Sequence, residues 1–175
     1  LGVYLDTGAD LNRISLSTMI SNSAGNAALY LFRGSSNTIL DSYVQGSTAA
    51  LISGSTGTVI SGSGFVATNT AGSALALAGG SVNLTIATST LLASSLGRGL
   101  ALNEGNVGVV TLGSVTFTGA ARGIEISTQG TNFTLAVDSI TFRALASGAT
   151  AIHFLGGAFP STFTLANFED ASTGV

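Results

Sequence analysis

Apolar residues recur along this chain in pairs whose members are separated by one residue, and the pairs return at intervals of about 25 residues. A strand turns alternate side chains to opposite faces, so each pair predicts a short β-strand with one buried edge. A defective copy, Leu51/Ser53, has a polar second position. The other pairs are Val3/Leu5, Leu29/Leu31, Leu75/Leu77, Leu100/Leu102, Ile124/Ile126 and Ile152/Phe154.

A second series of apolar positions returns with the same period. Its members come in pairs five residues apart, with small polar residues between them, as in Asp41-Ser42 and Thr88-Ser89. Such residues suit a sharp backbone corner, so each pair predicts two strands that meet at a bend. The pairs are Ile14 and Met19, Ile39 and Val44, Ile60 and Phe65, Ile86 and Leu91, Leu112 and Phe117, Val137 and Phe142, and Phe163 and Phe168.

The two series together predict an all-β fold, a single-domain right-handed parallel β-helix over residues 1–175. We expect about seven coils of about 25 residues, with three short strands per coil. Coils stacked at the strand spacing of about 4.8 Å place equivalent residues above one another, so Phe117, Phe142 and Phe168 should form an internal aromatic stack. The right-handed sense follows from the general rule for parallel crossover connections.

The coil repeat is similar to a known superfamily. Residues 28–42, ALYLFRGSSNTILDS, resemble the repeat of right-handed parallel β-helices of the pectate-lyase-like superfamily, and the stretches after Leu75 and Ile124 are similar. This superfamily includes pectate-lyase-like enzymes, polygalacturonases, alginate epimerases, phage tailspikes and autotransporter passenger domains. The resemblance therefore implies a fold and leaves the function open.

Charge is scarce and excludes several classes of partner. Only 7% of residues are charged, lysine is absent, and the net charge is −3, so a broad basic face for nucleic acid or an anionic membrane is excluded. No apolar run reaches the 18–20 residues of a membrane span. There is no cysteine for a disulfide or a thiolate metal site.

The acidic residues do not form the carboxylate clusters that glycoside hydrolysis or a calcium site requires. They are scattered over corners and loops, as Asp41, Glu104 and Asp138 show. We therefore expect no catalytic residue, no metal site and no cofactor.

One group of charged residues should come together on the rod. Glu125 and His153 each follow the first member of an apolar pair in adjacent coils, and Arg98 and Arg122 each lie two residues before such a member. In the simplest interpretation they form a weak ion pair on a solvated surface. The alternative is a small anion- or glycan-binding patch, because stacked arginines can bind carboxylate or sulfate with two hydrogen bonds.

Two tyrosines form a second candidate binding patch. Tyr4 and Tyr30 occupy equivalent outward positions in the first two coils, so they should stack. Exposed aromatic rings can hold sugar rings, although the simpler interpretation is a cross-strand contact that stabilises the sheet.

These observations favour a non-catalytic structural or adhesive segment of a secreted or cell-surface protein, similar to an autotransporter passenger or an adhesin stalk. Neither end of the rod has a capping element in the sequence, which predicts a segment of a longer chain. Its partners would be glycans or host or cell-surface molecules. One alternative is a carbohydrate-binding or carbohydrate-active domain of the lyase or hydrolase type. The other is a fibre unit that self-associates end to end.

Overall fold

A computed structural model describes residues 2–156, 159–164 and 166–169 as a parallel β-solenoid without helices in those residues. The strands are β1 Val3–Leu5, β2 Arg13–Ser15, β3 Thr18–Ile20, β4 Ala27–Phe32, β5 Thr38–Leu40, β6 Tyr43–Gly46, β7 Thr48–Ser53, β8 Thr56–Ser61, β9 Gly64–Ala67, β10 Ser73–Ala78, β11 Val82–Ala87, β12 Thr90–Leu92, β13 Arg98–Leu102, β14 Val107–Thr118, β15 Arg122–Ile126, β16 Phe133–Arg143, β17 Thr150–Phe154, β18 Ser161–Phe163 and β19 Ala166–Glu169. None of the described residues belongs to a helix that is long and apolar enough to cross a membrane.

Each coil contributes one strand to a first sheet and further strands to a second. The first sheet has seven parallel strands in the order β1-β4-β7-β10-β13-β15-β17, and the six steps between them give about six turns, close to the predicted seven. The other strands lie in the second sheet. Most coils have the predicted three strands, but β14 and β16 each run through the bend as one long strand.

The second apolar series is confirmed at every backbone position. Ile14, Ile39, Ile60, Ile86, Leu112, Val137 and Phe163 pair in register from coil to coil, and so do Met19, Val44, Phe65, Leu91, Phe117, Phe142 and Phe168. The Phe117 and Phe142 rings are stacked, with centroids 5.1 Å apart and planes at 24°. The side chains of Phe163 and Phe168 lie outside the described part, so the third ring of the predicted stack stays a prediction.

The first series needs one correction, because Leu51/Ser53 is not a defective copy. Ala50 pairs with Leu29 on one side and with Leu75 on the other, and Ile52 occupies the second inward position at 1% exposure. Leu51 lies between them and faces outward. The preceding corner is short, which brings the strand into register one residue earlier, and a one-residue shift exchanges the two faces of a strand.

A ladder of serines explains why the bend repeats. Each serine hydroxyl donates to the carbonyl two residues earlier, and in three of them the same oxygen accepts from the backbone N–H of the serine in the preceding coil, at 3.1–3.3 Å. The residue before each serine has a left-handed φ between 45° and 60°. Buried polar groups are thus satisfied at the corner. The serines are Ser17, Ser42, Ser63 and Ser89.

The serine ladder ends where the strands become continuous. Thr116 pairs with Thr90, the residue that follows Ser89. Val115, the residue before Thr116, therefore stands where the next serine would be, and it pairs with Ile140 in the following coil. Both side chains are fully buried. An apolar β-branched residue cannot bond the local backbone as serine does, and here β14 and β16 continue through the bend.

Candidate functional site

The residue between the two inward positions of each first-sheet strand faces outward, and these residues form one row along the solenoid. All six steps of the row are in register between neighbouring strands. We call this line of side chains the outer row. Its members are Tyr4, Tyr30, Leu51, Ala76, Ala101, Glu125 and His153. Both patches predicted from the sequence therefore lie on the same row, at its two ends.

At the charged end of the outer row, the four predicted residues do come together. Arg98 and Arg122 are aligned in adjacent strands. The Nε of Arg98 forms an ion pair with Oε1 of Glu125, and Nη1 of Arg122 forms an ion pair and hydrogen bond with Oε2. Nδ1 of His153 lies 3.7 Å from the same Oε2. The predicted grouping is correct, and its binding function remains a prediction.

The environment of Glu125 determines what this cluster can do chemically. Residue Glu125 is only 5% exposed although it faces outward, and its carboxylate lies against the side chains of Arg98, Arg122 and His153. Each of its oxygens contacts an arginine. Glu125 therefore holds and orients two cations, and it is poorly placed to act as a free base.

The two arginines remain accessible to a ligand. The side chains of Arg98 and Arg122 are 34% and 42% exposed, and that of His153 is 34% exposed. Besides its ion pair with Glu125, Arg98 donates from Nη1 to the Ala71 carbonyl at 3.3 Å. A guanidinium has five N–H donors, so both arginines keep further donors for a ligand. Two arginines against one glutamate leave one net positive charge. The cluster can therefore accept an anion.

Aromatic side chains form the other end of the outer row. The Tyr4 and Tyr30 rings lie 5.2 Å apart at 43°, as predicted, and the Phe32 ring lies 5.8 Å from Tyr30. The guanidinium of Arg33 lies over Phe32 at 4.8 Å. The sequence analysis missed Phe32 and Arg33. The two-residue alternation that places Tyr30 outward places Phe32 on the same face and could have identified it.

A carboxylate also flanks the aromatic end. The Tyr4 hydroxyl donates to Asp6 at 3.1 Å. The pKa of Tyr4 is raised above its ordinary value of 10.0, mainly by desolvation and secondly by this hydrogen bond. The pKa of Asp6 is lowered, mainly because its carboxylate accepts a hydrogen bond from the backbone N–H of Thr7 and secondly because it accepts one from the Tyr4 hydroxyl. At neutral pH the Tyr4 hydroxyl is therefore a neutral donor beside a carboxylate.

Two alanines connect the ends of the outer row. Ala76 and Ala101 face outward and do not belong to the core cluster, yet they are only 6% and 2% exposed. The middle of the row is therefore apolar and nearly closed to solvent. Four strand steps separate Tyr30 from Glu125, a distance of roughly 19 Å at the usual strand spacing.

Two acidic residues outside the outer row have local roles at corners. Asp10 accepts from the Ser35 N–H at 2.6 Å, and Asp41 is a corner residue with φ 46°. Within the described ranges there is no group of three His, Cys, Asp or Glu side chains that could hold a metal ion.

The chain matches no protein-family model, and no curated protein or solved structure is significantly similar to it.

Proposed function

We propose that this chain is a non-catalytic structural and adhesive β-solenoid segment of a secreted or cell-surface protein, and that the outer row is its adhesive surface. The observation that carries the proposal is the outer row itself. Aromatic rings, an apolar stretch and a glutamate that holds two arginines follow one another in register along one face. A rigid sheet holds all of them in fixed relative positions.

The scaffold supports a mechanical role. The apolar series is continuous, and most of its members are fully buried. The serine ladder adds coil-to-coil hydrogen bonds at the bend. In such a fold each coil stabilises its neighbours, which suits a rod that presents a surface at a distance from its attachment.

The chemistry of the outer row favours an extended glycan that carries acidic groups. The outward faces of Tyr4 and Tyr30 offer rings against which sugars can pack, and Tyr4 is 44% exposed. Arg98 and Arg122 can bind a carboxylate or a sulfate with paired hydrogen bonds. A ligand that touches both ends must lie along the solenoid axis and cross Ala76 and Ala101.

A carbohydrate-active function is the second candidate, and one observation makes it the weaker one. Glycoside hydrolysis uses two carboxyl groups about 5–10 Å apart. The charged groups that contact Glu125 in the described residues are two arginines and one histidine. The same geometry that favours anion binding therefore disfavours an acid–base pair at this position.

A panel of neutral and acidic polysaccharides tests both candidates, with binding and release of reducing ends measured in parallel. We expect acidic members to bind without turnover. Arg122→Gln should weaken this binding roughly tenfold or more, since the lost interaction is a charged pair, and Tyr30→Ala should also weaken it. The matched controls are Arg13→Gln and Tyr43→Ala, which lie on second-sheet strands.

Three results would overturn the proposal. Absence of binding to every member would remove the adhesive role toward glycans. Binding that both site variants leave intact would place the surface elsewhere. Turnover of any substrate would establish the carbohydrate-active alternative. Light scattering of the same samples tests the fibre alternative, which requires the mass to grow with protein concentration.

A further inference from the structure

A polar cleft lies away from the outer row, at the corner between the third strand of one coil and the first strand of the next. Only Ser47 joins β6 to β7, whereas residues 21–26 join β3 to β4 and residues 68–72 join β9 to β10. The short corner thus lies between two longer loops. The gap has a volume of about 230 Å³ and is lined by Asn22, Ser23, Ala24, Ser47, Thr68 and Asn69.

Hydrogen bonds fix the floor and both walls of this cleft. Ser47 is 7% exposed, and its Oγ accepts from the Gly25 N–H of one wall at 3.1 Å. In the other wall, the Thr68 N–H donates to the Gly46 carbonyl at 2.8 Å, and Oδ1 of Asn69 accepts from the Ala71 N–H at 3.0 Å. The cleft is therefore shaped before any ligand arrives, which lowers the entropic cost of binding.

The polar groups that line the cleft keep unused hydrogen-bonding capacity. The side chains of Asn22, Ser23 and Thr68 make no hydrogen bond within the described chain. The amide of Asn69 uses its oxygen for the turn, which leaves its N–H groups available. Together these groups offer amide donors, an amide acceptor and two hydroxyls that can act as either.

The cleft also restricts the charge and the size of its ligand. No lining residue is charged, so neither an anion nor an ammonium group would find a counter-charge there. A volume of about 230 Å³ is below the roughly 300–1,000 Å³ of sites for drug-sized ligands. We propose that this cleft binds a neutral, hydroxyl-rich ligand of about the size of one sugar ring. Its mixed donors and acceptors match hydroxyl groups, which both donate and accept.

Ligand-observed NMR with neutral monosaccharides and glycerol, together with protein amide shifts, tests this site. Glucuronate and glucosamine serve as charged comparators. We expect weak binding of at least one neutral sugar, with shifts at Asn22, Ser47 and Asn69. The double variant Asn22→Ala and Thr68→Val removes two exposed partners and should weaken the Kd about tenfold, which corresponds to 1.4 kcal/mol. Ala24→Leu should block the cleft.

The matched control is Thr131→Val with Asn132→Ala, a neighbouring pair of exposed side chains at another corner. It should leave the Kd unchanged. The proposal fails if no neutral probe binds at tens of millimolar. It also fails if the double variant binds as tightly as the parent protein, or if a charged comparator shifts the amides of Asn22, Ser47 and Asn69 more strongly than every neutral probe. A failure at the outer row would leave these outcomes unaffected, since the two sites share no residue.

Discussion

Truncation of Phe142 to alanine tests the inward direction of the third-strand residues. Phe142 is 2% exposed, and its ring stacks on Phe117 at 5.1 Å. The ring also lies against the backbone of Gly123, where an added Cβ would collide with Cε1 of Phe142. The space around the ring is therefore closed by backbone that the strand ladder holds in place.

The expected loss of stability follows from these contacts. Burial of an aromatic side chain stabilises by about 1.5–3 kcal/mol, and an aromatic pair adds about 0.5–1.5 kcal/mol. The rigid glycine backbone limits collapse into the cavity, so we expect Phe142→Ala to cost about 3–5 kcal/mol. For a chain of 175 residues this corresponds to a decrease in Tm of roughly 6–20 °C.

Urea unfolding followed by far-UV circular dichroism measures this loss. The control is Phe32→Ala, an outward and half-buried ring, which should cost clearly less. Phe117→Ala combined with Phe142→Ala should cost less than the sum of the single variants by about 0.5–1.5 kcal/mol, because the stacked pair is counted twice. An unchanged midpoint for Phe142→Ala, or equal losses for Phe142 and Phe32, would show that the inward assignment is wrong.

The remaining predictions concern the corner, the register and pH. Ser63→Ala removes one acceptor and one donor of the serine ladder and should cost about 1–3 kcal/mol in urea unfolding, whereas Ser95→Ala at an exposed position should stay within about 0.5 kcal/mol. Ile52→Ala should cost about 2–5 kcal/mol and Leu51→Ala about 1 kcal/mol; the reverse order would restore Leu51 as the inward residue. The lowered pKa of Asp6 means that its stabilising contribution is present above the unfolded-state value near 3.8 and is lost as the pH falls through the lower folded-state value. The free energy of unfolding should therefore decrease less at acid pH in Asp6→Asn than in the parent protein. An equal decrease in both proteins would contradict the lowered pKa of Asp6.

The sequence alone determined the repeat and most of the core. The positions around Ile39 and Val44 were identifiable because burial at a fixed period leaves a local signal, and the polar residues between them mark a bend. The grouping of Arg98, Arg122, Glu125 and His153 was also predictable, since equal offsets from an apolar pair become neighbours when coils stack.

The tertiary structure decided what depends on alignment between coils. Leu51 and Ala50 are both apolar, so composition could not say which faces inward, and only the pairing with Leu29 and Leu75 settles it. With Leu51 outward, the tyrosines and the arginine cluster become two ends of one row. The polar cleft likewise exists only because a one-residue corner stacks between longer loops. The physical reason is that a strand fixes the direction of its side chains by hydrogen-bond register, which a sequence of small, mutually similar residues does not specify.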